Sequence, residues 1–150
     1  MTAPALLAGW TGIPGLAAHP YAYPALEALH IVGIALLLGN LVLLELRVWG
    51  LAPALPLAPL ARLALGVSLA GFTLLAVSGS LMFAAQPGEL LSNRAFTLKL
   101  GLIALAGTNA ALFHARGGLV RLDRLARAQT LVSLGLWIAV IICGRWIAYL

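Results

Sequence analysis

Four apolar runs, each long enough to cross a bilayer, constrain this chain more than any other feature of its sequence. They cover residues of about 24–48, 63–85, 95–115 and 129–149. A transmembrane helix needs about 20 mostly apolar residues, because the hydrocarbon layer is roughly 30 Å thick. The breaks between the runs are sharp. Residues 50–59 hold Pro53, Pro56 and Pro59, residues 86–93 hold Pro87 and Gly88, and the arginine-rich stretch 116–127 has Gly117 and Gly118 near its start. Proline and glycine at such density end helices. A membrane β-barrel would instead show alternating segments of about ten residues, and the sequence has none. The pattern predicts an all-α, single-domain (1–150) polytopic bundle of four transmembrane helices. Short loops make its neighbours antiparallel. Before the first run, Pro4, Trp10, Pro14, Pro20, Tyr21 and Tyr23 suit an interfacial segment.

Composition closes the alternatives. Of the 150 residues, 63% are hydrophobic and 9% charged, with a mean hydropathy of +1.06. A soluble domain carries about 25% charged residues, so this chain cannot cover a water-facing surface. A soluble enzyme, a secreted module and a disordered tail are excluded. The single cysteine, Cys143, leaves no disulfide framework and no multi-thiolate metal site within one chain. The net charge of +5 is read as a signal for membrane orientation and not for nucleic acid, which is not an expected partner. The bilayer is.

The basic residues are unevenly divided. Arg47, Arg62, Arg116, Arg121, Arg124 and Arg127 flank the loops after runs one and three, against Arg94, Lys99 and Arg145 at the other end. Cytoplasmic loops carry the excess of positive charge, so both termini are expected outside. Tyr21, Tyr23, Trp146 and Tyr149, with Trp10, form an expected outer aromatic belt, and Trp49 marks the inner boundary.

Ionisable groups inside a span are costly and point to function by default. Counted from each run's midpoint at 1.5 Å per residue, His30, Lys99 and Arg145 lie at a shared depth of roughly 9–10 Å on the outer side. Glu27 stands one turn further out on the face of His30. These four residues form the candidate outer site. A second possible cluster, Glu45, Arg47 and His114, lies toward the inner boundary. His30 and His114 are separated in depth by about 20 Å, too far to ligate one iron, since each iron–nitrogen bond spans only about 2 Å.

Plainer roles stand beside these. His30 can bond a backbone carbonyl, and Lys99 and Arg145 can snorkel to the interface. Glu45, Arg47 and His114 can form an ordinary interfacial ion network. Asn40 and Asn109 suit helix-to-helix bonding, and Ser68, Gly71, Ser78 and Gly79 suit close packing. Trp137 reads as core, and the arginines at 121, 124 and 127 as contacts to anionic lipid heads.

The stretch YAYPALEALHIVGIALLLGNLVLLELRVWG (21–50), with FTLKLGLIALAGTNAALFH (96–114) and GRWIAY (144–149), resembles an uncharacterised family of small bacterial four-helix membrane proteins. That resemblance implies a bacterial inner-membrane location and no particular activity. More distantly, Leu29-His30, Arg47, Lys99-Leu100 and Phe113-His114 are similar to motifs of the membrane-bound protoporphyrinogen oxidase. Two of the segments also resemble the copper-resistance D membrane domain. The chain departs from the oxidase in span one, where Gly39 and Asn40 sit amid leucines. The oxidase likeness implies that His30 and Lys99 belong to a haem-containing centre.

The two lines meet on a haem b site. His30 is its expected iron ligand, Arg145 and Lys99 attract its propionates, and Glu27 orients the imidazole or carries protons. The second axial position falls to His19, Lys99 or a partner chain, or stays an open coordination site. The expected function is a redox role, either electron transfer or oxidation of a porphyrin-like or quinone-like substrate. The rivals are a copper-handling transporter, which Met1, Met82 and Cys143 supply poorly with sulfur, and a non-catalytic subunit of a larger membrane complex. A homo-oligomer is compatible with all three.

Overall fold

The computed structural model describes residues 12–150 apart from residues 14 and 17. Met1, Pro4, Trp10 and Pro14 lie outside the described residues. Four long helices carry the fold: α1 (Ala22–Val48), α2 (Leu57–Ala85), α4 (Arg94–Ala115) and α6 (Arg124–Trp146). Two short helices, α3 (Pro87–Ser92) and α5 (Gly118–Arg121), sit in connections, and a 3₁₀ turn (Ile147–Tyr149) follows α6. All four long helices are long and apolar enough to span a membrane. The protein is an all-α four-helix bundle of the polytopic membrane type. Its outward faces are apolar, with Ile31, Leu63 and Leu69 each about two-thirds exposed. Such surface is stable only with lipid as its solvent.

Two helices begin earlier than the hydropathy pattern suggests. α2 starts at Leu57 instead of residue 63, with Pro56 as its cap and Pro59 inside the first turn. Proline is tolerated there because first-turn amides have no helical acceptor to lose. α6 starts at Arg124 instead of residue 129, because Asp123 caps it by accepting from the Ala126 amide at 2.8 Å. Asp123 also pairs with Arg116 at 3.0 Å. The Ala126 amide and the Arg116 guanidinium together hold the Asp123 carboxyl below its ordinary range. A group lowered by folding contributes fully above its unfolded pKa and loses that contribution as pH falls through the folded value. Acidification, or Asp123→Ala at neutral pH, is therefore expected to lower the protection of the Ala126 amide, measured against its intrinsic exchange rate at the same pH, and to fray the first turn of α6. Unchanged protection at Ala126 in both cases would remove this cap from the account.

The bundle is built from two hairpins, α1/α2 and α4/α6, joined chiefly through α1 and α6. The first hairpin is the tightest contact. A Cβ added at Gly71 would stand 2.7 Å from the Leu37 amide nitrogen, and one at Gly33 would stand 3.0 Å from the Gly71 carbonyl oxygen. Small residues let transmembrane backbones approach this closely, and van der Waals packing then holds them without a hydrophobic driving force. The Ser68 hydroxyl adds a bond to the Leu37 carbonyl at 3.3 Å. In the second hairpin, Asn109 donates to the Gln129 carbonyl at 2.9 Å, the helix-to-helix role expected of it. Asn40 differs, donating to the Leu36 carbonyl of its own helix. Asn93 caps α4 and reaches the Ile147 carbonyl at 3.0 Å. Between hairpins, the Trp49 indole donates to Thr130 at 2.9 Å. Phe72 meets Trp137 edge to face, and Phe83 stacks on Phe96. Trp137 is thus half-buried and packed against α2. At the end of the bundle where α1 starts, the Ile13 amide donates to the Ala84 carbonyl at 2.8 Å, which ties the approach segment to the end of α2.

Candidate functional site

α1 presents the half-buried His30 imidazole toward α2. There its Nδ1 lies 2.9 Å from Ser78 Oγ. Ser78 is buried, and its hydroxyl donates to the Leu74 carbonyl one turn back, at 2.7 Å. A serine hydroxyl has one hydrogen to give. The same hydroxyl lies 3.3 Å from the Leu75 carbonyl. When its hydrogen goes to a carbonyl, Ser78 Oγ accepts from His30 Nδ1 and the imidazole lone pair is on Nε2, which has no hydrogen-bond partner among the described residues. Gly79 completes the seat, since a Cβ there would stand 3.4 Å from the imidazole Cε1.

Lys99 comes from α4 and is stored against α6. Its Nζ lies 3.2 Å from where a Cβ of residue 144 would be, with Cε and Cδ following along the same glycine. Gly144 is thus the gap that admits the lysine chain, and the ammonium lies within electrostatic reach of both Cys143 and the His30 imidazole. Four helices therefore contribute at one level: His30 from α1, Ser78 and Gly79 from α2, Lys99 from α4 and Gly144 from α6.

The other expected members of the outer site have different partners. The exposed Arg145 turns along its own helix, donating to the Tyr149 hydroxyl at 2.7 Å with its guanidinium 4.9 Å from that ring's centre. Backbone depth placed it level with Lys99, but its side chain reaches one turn outward, where a cation finds a polar partner and water. Glu27 is exposed and faces Tyr23, whose other acidic neighbour is Glu89. His19 is exposed, with its Nδ1 accepting from the Tyr21 amide at 3.3 Å and its ring edge against Tyr21.

The inner residues separate as well. Glu45 is buried on α1, with the Ser133 hydroxyl of α6 in hydrogen-bonding reach. Arg47 turns to the Leu55 and Pro53 carbonyls in the α1–α2 loop. His114 is exposed, with its ring edge on Phe113. No hydrogen bond or ion pair joins these three among the described residues.

Ser78 is the member of this candidate site that its sequence context assigns only to packing. The start of α2 explains why. Counted from residues 63–85, Ser78 falls about 6 Å from the midpoint, but counted from Leu57–Ala85 it lies about 10 Å out, level with His30. Among the described residues no group of three or more His, Cys, Asp or Glu side chains could hold a metal ion. A porphyrin iron needs less, because the macrocycle supplies four of its ligands and the protein an axial imidazole. Compared with family models, curated proteins and solved structures, the chain matches none of them.

Proposed function

We propose that this chain is a haem b-binding integral membrane protein with a redox role, in electron transfer or in oxidation of a porphyrin-like or quinone-like substrate. The observation that supports the reading is the seat of His30 on Ser78, with Nδ1 2.9 Å from a hydroxyl that also reaches the Leu74 carbonyl. Metal-ligating histidines almost always donate their other ring N–H to a fixed acceptor, which sets ring orientation and basicity. With its hydrogen on the Leu74 carbonyl, Ser78 would be such an acceptor and would leave Nε2 to ligate. Lys99 brings a cation within the field of the imidazole, where it suits a propionate carboxylate. When bound, the haem would supply a one-electron carrier whose potential follows axial ligation and surrounding polarity. His30 would hold the iron, Ser78 would keep the imidazole in its ligating tautomer, and Lys99 would bind and orient the carboxylate. Arg145 and Glu27, engaged at Tyr149 and near Tyr23, are left out of this set.

The visible spectrum of the protein purified from haem-replete cells tests the reading. A Soret band at one haem per chain is expected. A colourless protein overturns it and favours the subunit reading, and bound copper without haem favours the transporter.

The proposed location is the bacterial inner membrane, with the loops at 50–56 and 116–123 in the cytoplasm. The bias of arginine toward that end supports it. Reporter fusions at Leu150 are expected to be active in the periplasm. A C-terminal reporter active only in the cytoplasm reverses the orientation.

A further inference from the structure

We propose that the outward face of α2 binds an anionic phospholipid. Its acyl chain lies along Leu63, Gly66, Val67 and Ala70, and its phosphate sits on Arg62. With Pro59, these residues line a shallow, open depression of about 480 Å³ on the face of this one helix. Their spacing of three and four places them on one helical face. From Arg62 to Ala70 the depression runs roughly 12 Å, within the reach of one leaflet. Gly66 forms its floor, with nothing within 4 Å of the place a Cβ would take. The groove is therefore open where another side chain would close it.

Charge selects the occupant. Arg62 lies near the start of α2, at the basic end of the bundle, exposed and without an ion pair among the described residues. Six arginines gather at this end, Arg47, Arg62, Arg116, Arg121, Arg124 and Arg127, against Glu45 and Asp123. Asp123 is taken by Arg116, and Arg47 is turned into loop carbonyls. Glu45 is buried against Ser133. No acid of the chain is left to answer Arg62. At headgroup depth the available anion is a lipid phosphate, and a headgroup with net negative charge is favoured over a zwitterionic one by the unbalanced arginines. An apolar groove that ends at an arginine matches a molecule with an apolar tail and an anionic head. This site is at the opposite end of the bundle from His30 and stands independently of the haem reading.

The test uses the full chain in vesicles of phosphatidylcholine containing graded phosphatidylglycerol, with retained lipid counted by native mass spectrometry. Preferential retention of phosphatidylglycerol is expected. Arg62→Gln should lower that preference by about tenfold, as expected for loss of a charge-assisted bond. Gly66→Leu should displace the lipid while keeping every charge, and Arg121→Gln should leave retention nearly unchanged. Circular dichroism of each variant confirms the fold. Equal retention of the two lipids overturns the proposal. So does retention that follows Arg121 but neither Arg62 nor Gly66. Cross-linking of two chains through residue 66 with no lipid retained would assign this face to a second copy and overturn it as well.

Discussion

His30→Ala is expected to remove most of the bound b-type haem and its Soret band, while His114→Ala leaves both nearly intact. The two histidines differ in surroundings as well as depth. His30 is half-buried, with one ring nitrogen on Ser78 and the other without a partner among the described residues, whereas His114 is exposed with its ring against Phe113. Ser78→Ala gives the sharper test because it leaves the ligand in place. Without its acceptor the Nδ1 proton has no partner and the ring is free to rotate or change tautomer. Changes to such outer partners typically lower metal affinity by about 10–100-fold. Partial haem loss in Ser78→Ala, with the helix content of the wild type, is the expected result. Equal loss from His30→Ala and His114→Ala, with folding preserved, would indicate two haem sites. A Soret band unchanged in His30→Ala would remove His30 as the ligand.

Gly71→Leu is expected to cost on the order of 3 kcal/mol, a large part of the roughly 5–15 kcal/mol that holds a domain together. Two effects of opposite sign compete. Replacing a mid-helix glycine gains up to about 1 kcal/mol in backbone entropy and propensity. Against that, a Cβ at residue 71 meets the Leu37 amide nitrogen at 2.7 Å and the Gly33 carbonyl oxygen at 2.9 Å. Both are backbone atoms of a packed helix and cannot turn aside as a flexible side chain would, so the clash wins. α1 and α2 must separate, which also strains the Ser68–Leu37 and His30–Ser78 bonds that cross this seam. Gly107→Ala is the control, since nothing lies within 4 Å of a Cβ there. It should be neutral or stabilising by about 0.5–1 kcal/mol. Reversible unfolding in mixed micelles measures both, and equal stabilities for the two variants would contradict the seam.

Much of this architecture was legible in the residues because it depends on local quantities. The bilayer fixes helix length, so four apolar runs bounded by Pro53, Pro56, Pro87 and Gly117 were enough to predict four spanning helices. The shared level of His30 and Lys99 followed from counting, because helical rise converts sequence distance into depth. The role of Gly71 in close packing was also readable, since in lipid small residues mark helix contacts. Helix starts were less legible. Hydropathy falls before the helix ends, and α2 and α6 begin just after Pro56 and Asp123, and so take in the first-turn Pro59 and also Arg62, Arg124 and Arg127, which bound an apolar run.

What only the tertiary structure decided was direction. Depth along an axis does not say which way a long side chain leaves it. Lys99 goes inward because Gly144 leaves a gap beside α4, whereas the adjacent Arg145 goes outward because Tyr149 offers both a hydroxyl and a ring. Nor could the sequence say that the Ser78 hydroxyl stands between the Leu74 carbonyl and the His30 imidazole. Rotamers and hydrogen-bond roles are settled by neighbours on other helices. The sequence by itself determined the spans, their antiparallel order and the level of the polar residues, and the packing of α1 against α2 and of α4 against α6 decided which of those residues meet.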